Sequence, residues 1–173
     1  MEILENKKAW RETYQQNWLA HLEEAGEVDW SLYQHPRNEQ VPGAPGVDLH
    51  QSRLLLISSA GAYLKDQQEP FDAASRTGDY TMRTFPTATS WTDLAYAHGH
   101  YDHTMIEQDA QVALPLRHLQ AWAANGRLGQ IAPSVISFMG YQPDSARVVD
   151  ELVPQVLVAA RDLNAEAALL APV

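Results

Sequence analysis

The sequence predicts an α/β fold: a mostly parallel sheet of about four strands flanked by helices, preceded by an N-terminal amphipathic helix and an extended arm. Three observations carry this. Four short apolar runs, Leu54 to Ile57, Leu94 to Ala97, Ile131 to Phe138 and Ala167 to Leu170, suit strands buried in a sheet. Segments with helix start and stop signals alternate with the later runs, as βαβ units require. The composition, 45% hydrophobic and 20% charged, suits a chain that buries an ordinary core. At 173 residues it fits one such core.

Taken in order, residues 2–25 read as the amphipathic helix. Trp10, Tyr14, Trp18 and Leu22 recur every four positions as one apolar stripe, and Gly26 supplies the stop. The stripe is expected to pack on its own domain; left exposed, it would be a docking face for a partner. Trp30 to Gly46 is an arm broken by Pro36, Pro42, Gly43, Pro45 and Gly46, with Trp30, Leu32 and Tyr33 as apolar anchors. The first strand ends in Ser58-Ser59-Ala60-Gly61-Ala62-Tyr63, small residues that allow a sharp turn or a close approach to a ligand. Pro115 to Ala124 is the next helix, with Pro at its start and Asn125-Gly126 as its stop. Ser145 to Leu163 follows, with Asp144 as N-cap and a kink at Pro154. These boundaries give an arm unit, 1–50, and an α/β unit, 51–173, which is expected to be incomplete at its C-terminal side. A parallel sheet ending on its fourth strand leaves one edge open, so dimerisation or poor solubility is expected.

The net charge of −10 argues against nucleic acid or an anionic membrane as the main partner. No apolar run reaches the roughly 20 residues of a membrane span, and the first residues are no secretory signal, so a cytoplasmic location is expected. The chain has no cysteine, which excludes disulfides, Cys–zinc sites and thiol catalysis within these residues.

Chemistry concentrates in His98-Gly99-His100-Tyr101-Asp102-His103, three imidazoles and a carboxylate in six residues. Such side chains bind divalent metals and move protons near neutral pH. The pattern H-x-H-x-D-H resembles the dinuclear-metal motif of metallo-β-lactamase-like hydrolases, with His98, His100, Asp102 and His103 as ligands. That family completes its site with a further His, Asp and His, whereas here only His118 follows, in a helical segment. A divalent metal at this cluster is therefore the alternative reading, beside a plain polar turn that caps a helix.

Because ligands of open parallel sheets bind beyond the carboxyl ends of the strands, three segments should meet there. They are Ala60 to Tyr63, His98 to His103, and Phe138 to Tyr141. From Arg53 to Val173 the chain resembles the family containing the B component of glycine, sarcosine and betaine reductases and the related subunit of D-proline reductase. The resemblance rests on several stretches taken in order. Ser58-Ser59-Ala60-Gly61-Ala62-Tyr63 comes first, then Gly78-Asp79-Tyr80 with Arg83 and Pro86, then His98-Gly99-His100-Tyr101-Asp102. Asp109 through Leu114-Pro115-Leu116-Arg117, Gly126-Arg127-Leu128-Gly129 and Ser137-Phe138-Met139-Gly140-Tyr141 complete it. In the better-known members two glycines follow the histidine, so His100 and His103 are departures.

The resemblance implies reductive cleavage of a carbon–nitrogen bond, with a selenocysteine or cysteine nucleophile directly after the last apolar strand. These residues contain neither, so the chain alone is expected to be inactive, and the coding sequence is expected to continue past Val173 through that residue. On this reading His98 and Asp102 position the amine or protonate the leaving nitrogen. Arg83 holds a substrate carboxylate, or instead forms a structural ion pair with Asp79. Tyr63 and Tyr141 line the pocket and Gly61 gives it backbone room. The implied partners are a small amino-acid-like substrate, a partner reductase subunit or thiol electron donor, and further copies of the chain; no cofactor is expected within it. A non-catalytic subunit of a larger complex is the third reading, supported by the missing nucleophile and the aromatic stripe.

Overall fold

The structure is a computed structural model that describes residues 3–40, 43 and 45–173. The N-terminal helix runs as α1 (Lys7–Tyr14), one π turn (Gln15–Leu19) and α2 (Ala20–Ala25). It starts later than predicted because Asn6 adopts φ 53°, which a helix interior does not hold. Residue 2 of the predicted span, and Pro42 of the arm, lie outside the described residues. Gly26 ends the helix as expected, with φ 69° and its N–H donating to the Leu22 carbonyl at 2.9 Å. The π turn explains how a stripe spaced by four stays on one face. At about 100° per residue three such steps drift by about 120°, and one extra residue takes back most of it. Trp10, Tyr14, Trp18 and Leu22 are all buried, packed on Leu4, Tyr33, Ala146 and Val149 of the same chain. The stripe packs as core within its own chain.

The arm is pinned by aromatic contacts. A short 3₁₀ turn, Trp30–Leu32, brings Trp30 to 5.4 Å from Trp18. Tyr33 stands edge-on to Trp10, Tyr14, Trp18 and Trp30, and its hydroxyl donates to the Pro143 carbonyl at 2.9 Å.

The α/β unit follows as β1 (Arg53–Ser58), β2 (Ala62–Leu64), β3 (Met82–Pro86) and β4 (Leu94–Tyr96). Then come α3 (Thr104–Gln108), α4 (Leu116–Ala124), β5 (Gln130–Ile131) and β6 (Ser134–Phe138). A third long helix is assembled from α5 (Ser145–Arg147), a π turn (Val148–Leu152) and α6 (Val153–Asp162), and β7 (Ala167–Ala171) follows it. β1 lies at the centre. It pairs in parallel with β7 on one side and with β5 and β6 on the other, and β6 pairs antiparallel with β3. Leu54 and Leu56 pack with Leu116 and Leu119 of α4, while Leu55 and Ile57 pack with Val156 and Ala159 of α6. The sheet is mixed α/β and mostly parallel, as predicted.

Three elements differ from expectation. Leu94 to Ala97 is not a strand of the main sheet: β4 pairs antiparallel with β2 in a separate ribbon, Tyr63 opposite Ala95. Ile131 to Phe138 is interrupted at Ala132-Pro133, since Pro133 has no N–H to give a ladder. β3 went unpredicted because its alternation of Met, Arg, Thr, Phe and Pro is too polar for an apolar-run search; only Phe85 is buried. In the third long helix Asp144 is the N-cap, accepting from the Ala146 and Arg147 N–H groups at 3.0 and 3.1 Å. Pro154 sits in the first turn of α6, and the π turn ahead of it absorbs the N–H that proline lacks.

Among the described residues β7 pairs only with β1, and Leu170 is 67% exposed where the apolar run predicts a core strand. Among the described residues no helix is long and apolar enough to cross a membrane.

Candidate functional site

The carboxyl end of β1 carries the site. After Ser58 the backbone turns through Ser59 and Ala60 into Gly61, whose φ of 67° favours glycine. Gly61 N–H donates to the Phe138 carbonyl at 2.9 Å, and the Gly61 carbonyl accepts from Ala97 N–H at 2.9 Å. A Cβ on Gly61 would lie 2.5 Å from the Ala97 carbonyl oxygen. Gly61 therefore ties the three predicted segments together, and its room is taken by protein backbone instead of a ligand. Ser137 of β6 reinforces the junction, its Oγ accepting from Ala62 N–H at 2.8 Å while fully buried.

His98 is seated on this junction and is only 5% exposed. Its Nδ1 accepts from the His100 backbone N–H at 3.2 Å, so the neutral ring carries its proton on Nε2. That Nε2 faces Gly140: a Cβ there would lie 3.0 Å from Nε2 and 3.2 Å from Ser59 Oγ. The Ser59 hydroxyl also accepts from the Val173 N–H at 2.9 Å, so the end of β7 arrives at the same spot. Burial holds the His98 imidazole down to about 4, with His100 and His103 adding smaller repulsive contributions. At neutral pH His98 is a neutral hydrogen-bond donor, not an imidazolium acid. A buried ring beside two other imidazoles does not hold a charge.

The remaining members of the His cluster point to separate partners. His100 is exposed and stacks on Tyr141, ring centroids 3.8 Å apart at 10°. His103 Nε2 donates to the His98 carbonyl at 2.8 Å. The exposed Asp102 accepts from the Thr104 N–H and hydroxyl at 2.9 and 2.6 Å, organising the entry to α3. Those hydrogen bonds hold its carboxyl below the usual range. Among the described residues no three His, Asp or Glu side chains converge as a metal ligand set. Adjacency in sequence did not become convergence in space, because the turn splays alternate side chains. No hydrogen bond joins Asp102 to His98 among the described residues.

Arg83 is fully occupied within the fold. Its guanidinium donates to the Glu69, Pro70 and Met82 carbonyls and the Thr81 hydroxyl, and lies 4.4 Å from the Phe71 ring centre. Thr81 bridges it to Asp79, its hydroxyl donating to the Asp79 carboxylate. Arg83 fastens the 65–81 loop to β3 instead of holding a carboxylate. Tyr63 is half-buried on β2, and no hydrogen bond or ring contact ties it to His98. Tyr141 does border the cluster: its ring carries His100 and its hydroxyl donates to the Arg76 carbonyl at 2.9 Å. Sequence reasoning missed Ser59, Gly140 and Tyr101 as site residues, although all three lie in the stretches it quoted. Tyr101 packs edge-on to His98 with centroids 4.9 Å apart and donates to the Ala60 carbonyl at 3.0 Å.

Comparison with known proteins supplies an independent line. The family described as glycine/sarcosine/betaine reductase selenoprotein B matches residues 24–161. D-proline reductase subunit gamma of Acetoanaerobium sticklandii is 27% identical over 71% of this chain and 49% of its own length. Glycine reductase complex component B subunit gamma of Carboxydothermus hydrogenoformans is 31% identical over 56% of this chain and 22% of its own. Sarcosine reductase complex component B subunit beta of Peptoclostridium acidaminophilum is 26% identical over 66% of this chain and 27% of its own. The chain thus spans half or less of the curated relatives it matches. No solved structure matches it significantly.

Proposed function

The chain belongs to the glycine/sarcosine/betaine reductase selenoprotein B family, and on that premise we propose that it is a subunit of a reductase complex that cleaves a C–N bond of a small amino acid. The attacking selenol or thiol comes from outside these residues, which contain no cysteine. In that step a bond forms between selenium or sulfur and the substrate carbon, the C–N bond breaks, and the nitrogen leaves with a proton. A soft, ionised nucleophile is needed because amines leave poorly, and no Ser, Tyr or Lys substitutes for it.

The observation that carries this reading is the meeting of His98 Nε2, Ser59 Oγ and the end of β7 around Gly140. A nucleophile presented there meets a neutral Nε2–H donor in a water-poor setting, where such a bond stabilises a selenolate or thiolate. The His98 role is thus orientation of the anion, and the proton for the leaving nitrogen comes from another group or from water. The setting is cytoplasmic, where thiol electron donors stay reduced.

The test is reconstitution of the chain with its partner subunits and a dithiol reductant, followed by amine release or ring opening from glycine, sarcosine, betaine and D-proline. His98→Asn keeps an acceptor for the His100 N–H and is expected to lower turnover by about tenfold or more. Unchanged turnover would refute the role of His98.

A further inference from the structure

We propose that the cleft between β4 and the α3–α4 connection seats a small amino acid as its zwitterion, with Arg117 as the carboxylate anchor. The inference rests on the reductase reading above and names where its substrate is held. The cleft has a volume of about 700 Å³, within the range of small-molecule sites and larger than glycine requires.

Six of its lining residues carry the argument. Trp91 forms an aromatic wall, with the Arg117 guanidinium carbon 5.9 Å from its ring centre. Among the described residues Arg117 makes no ion pair and no side-chain hydrogen bond, in contrast to Arg83 with its four acceptors. A planar guanidinium resting on an aromatic face is poised for bidentate carboxylate contact. Glu107 and Asp109 bring negative charge to the same cleft. Among the described residues the exposed Glu107 side chain makes no hydrogen bond or ion pair, and one Asp109 oxygen is engaged, by the Gln111 N–H at 3.0 Å. These carboxylates suit the ammonium end of the ligand. Tyr96 also lines the cleft, its hydroxyl buried beneath the surface without a hydrogen-bond partner. His103 completes the wall, and its Nε2 donates to the His98 carbonyl at 2.8 Å.

Isothermal titration of the reconstituted subunit with glycine, sarcosine and D-proline tests this, with acetate and pyrrolidine as probes bearing one charge each. The amino acids are expected to bind at least about tenfold more tightly than either half-probe. Arg117→Met should weaken amino-acid binding by about tenfold or more, and Arg117→Lys should recover part of it. Arg83→Met should lower thermal stability and leave affinity within about twofold. In NMR spectra, saturating amino acid should move the Trp91 indole N–H signal. No detectable binding, acetate binding as tightly as an amino acid, or Arg117→Met binding like wild type would overturn the proposal. Shifts at Gly140 with an unmoved Trp91 signal would overturn it too. Binding that depends on Arg117 in a complex without reductase turnover would sink the reductase reading and keep this site. Turnover with an unchanged KM in Arg117→Met would do the reverse.

Discussion

His98 offers a quantitative prediction. The ring is 5% exposed, and folding lowers its proton affinity from the ordinary 6.5 to about 4. Above pH 6.5 the ring is neutral in both states, and its contribution to stability is fully present. As pH falls through 6.5 the unfolded chain takes up a proton that the folded chain refuses, so stability is lost until about pH 4, where both forms are charged. At 1.36 kcal/mol per unit, this one ring costs the fold about 3 kcal/mol across that window. Nearby carboxylates add losses at lower pH, so the His98 contribution is read by comparison. Denaturant melts of the wild type and of His98→Asn, from pH 7.5 to 4.0, should give a shallower decline for the variant. An imidazole titration followed by NMR should show one ring still neutral at pH 5. A His98 midpoint near 6.5, or identical pH slopes for the two proteins, would refute the account of a buried, neutral, Nε2-protonated ring.

Three other perturbations test the fold around the site. Gly61→Ala must adopt φ 67° and place its Cβ 2.5 Å from the Ala97 oxygen, so a loss of about 3 kcal/mol is expected by chemical denaturation. A loss under about 1 kcal/mol would show that the junction relaxes. Asp144→Ala removes a buried cap shared by two N–H groups and should cost about 2 kcal/mol, while Asp144→Asn should cost markedly less. Leu170→Asp charges the most exposed leucine of the β7 edge and should reduce any self-association seen by sedimentation. An unchanged sedimentation profile from an associating wild type would clear that edge of the role.

Much of the fold was legible in the residues. Leu54 to Ile57 reads as a doubly buried strand because nothing in it is polar, and the structure places it at the sheet centre. Gly26, Asp144 and Asn125-Gly126 announce helix ends through local backbone chemistry, which needs no distant partner. Leu94 to Ala97 was misassigned because an apolar run does not state which strand it will pair with, and β2 captured it. Arg83 and Arg117 differ in a way no sequence displays. One is saturated by carbonyls of its own loop, while the other stands free beside Trp91.

The sequence by itself determined the α/β class, the aromatic stripe of the first helix, the family, and the segments that meet beyond the strand ends. All of these follow from local periodicity, turn chemistry or a long ordered set of matching words. Only the tertiary structure decided what each side chain does there. It separated the four members of His98-Gly99-His100-Tyr101-Asp102-His103 onto four different partners, and it buried one ring as a neutral donor over Gly140. The physical reason is that burial, charge and hydrogen-bond satisfaction are set by neighbours distant in sequence, and a residue's identity does not specify which neighbours those are.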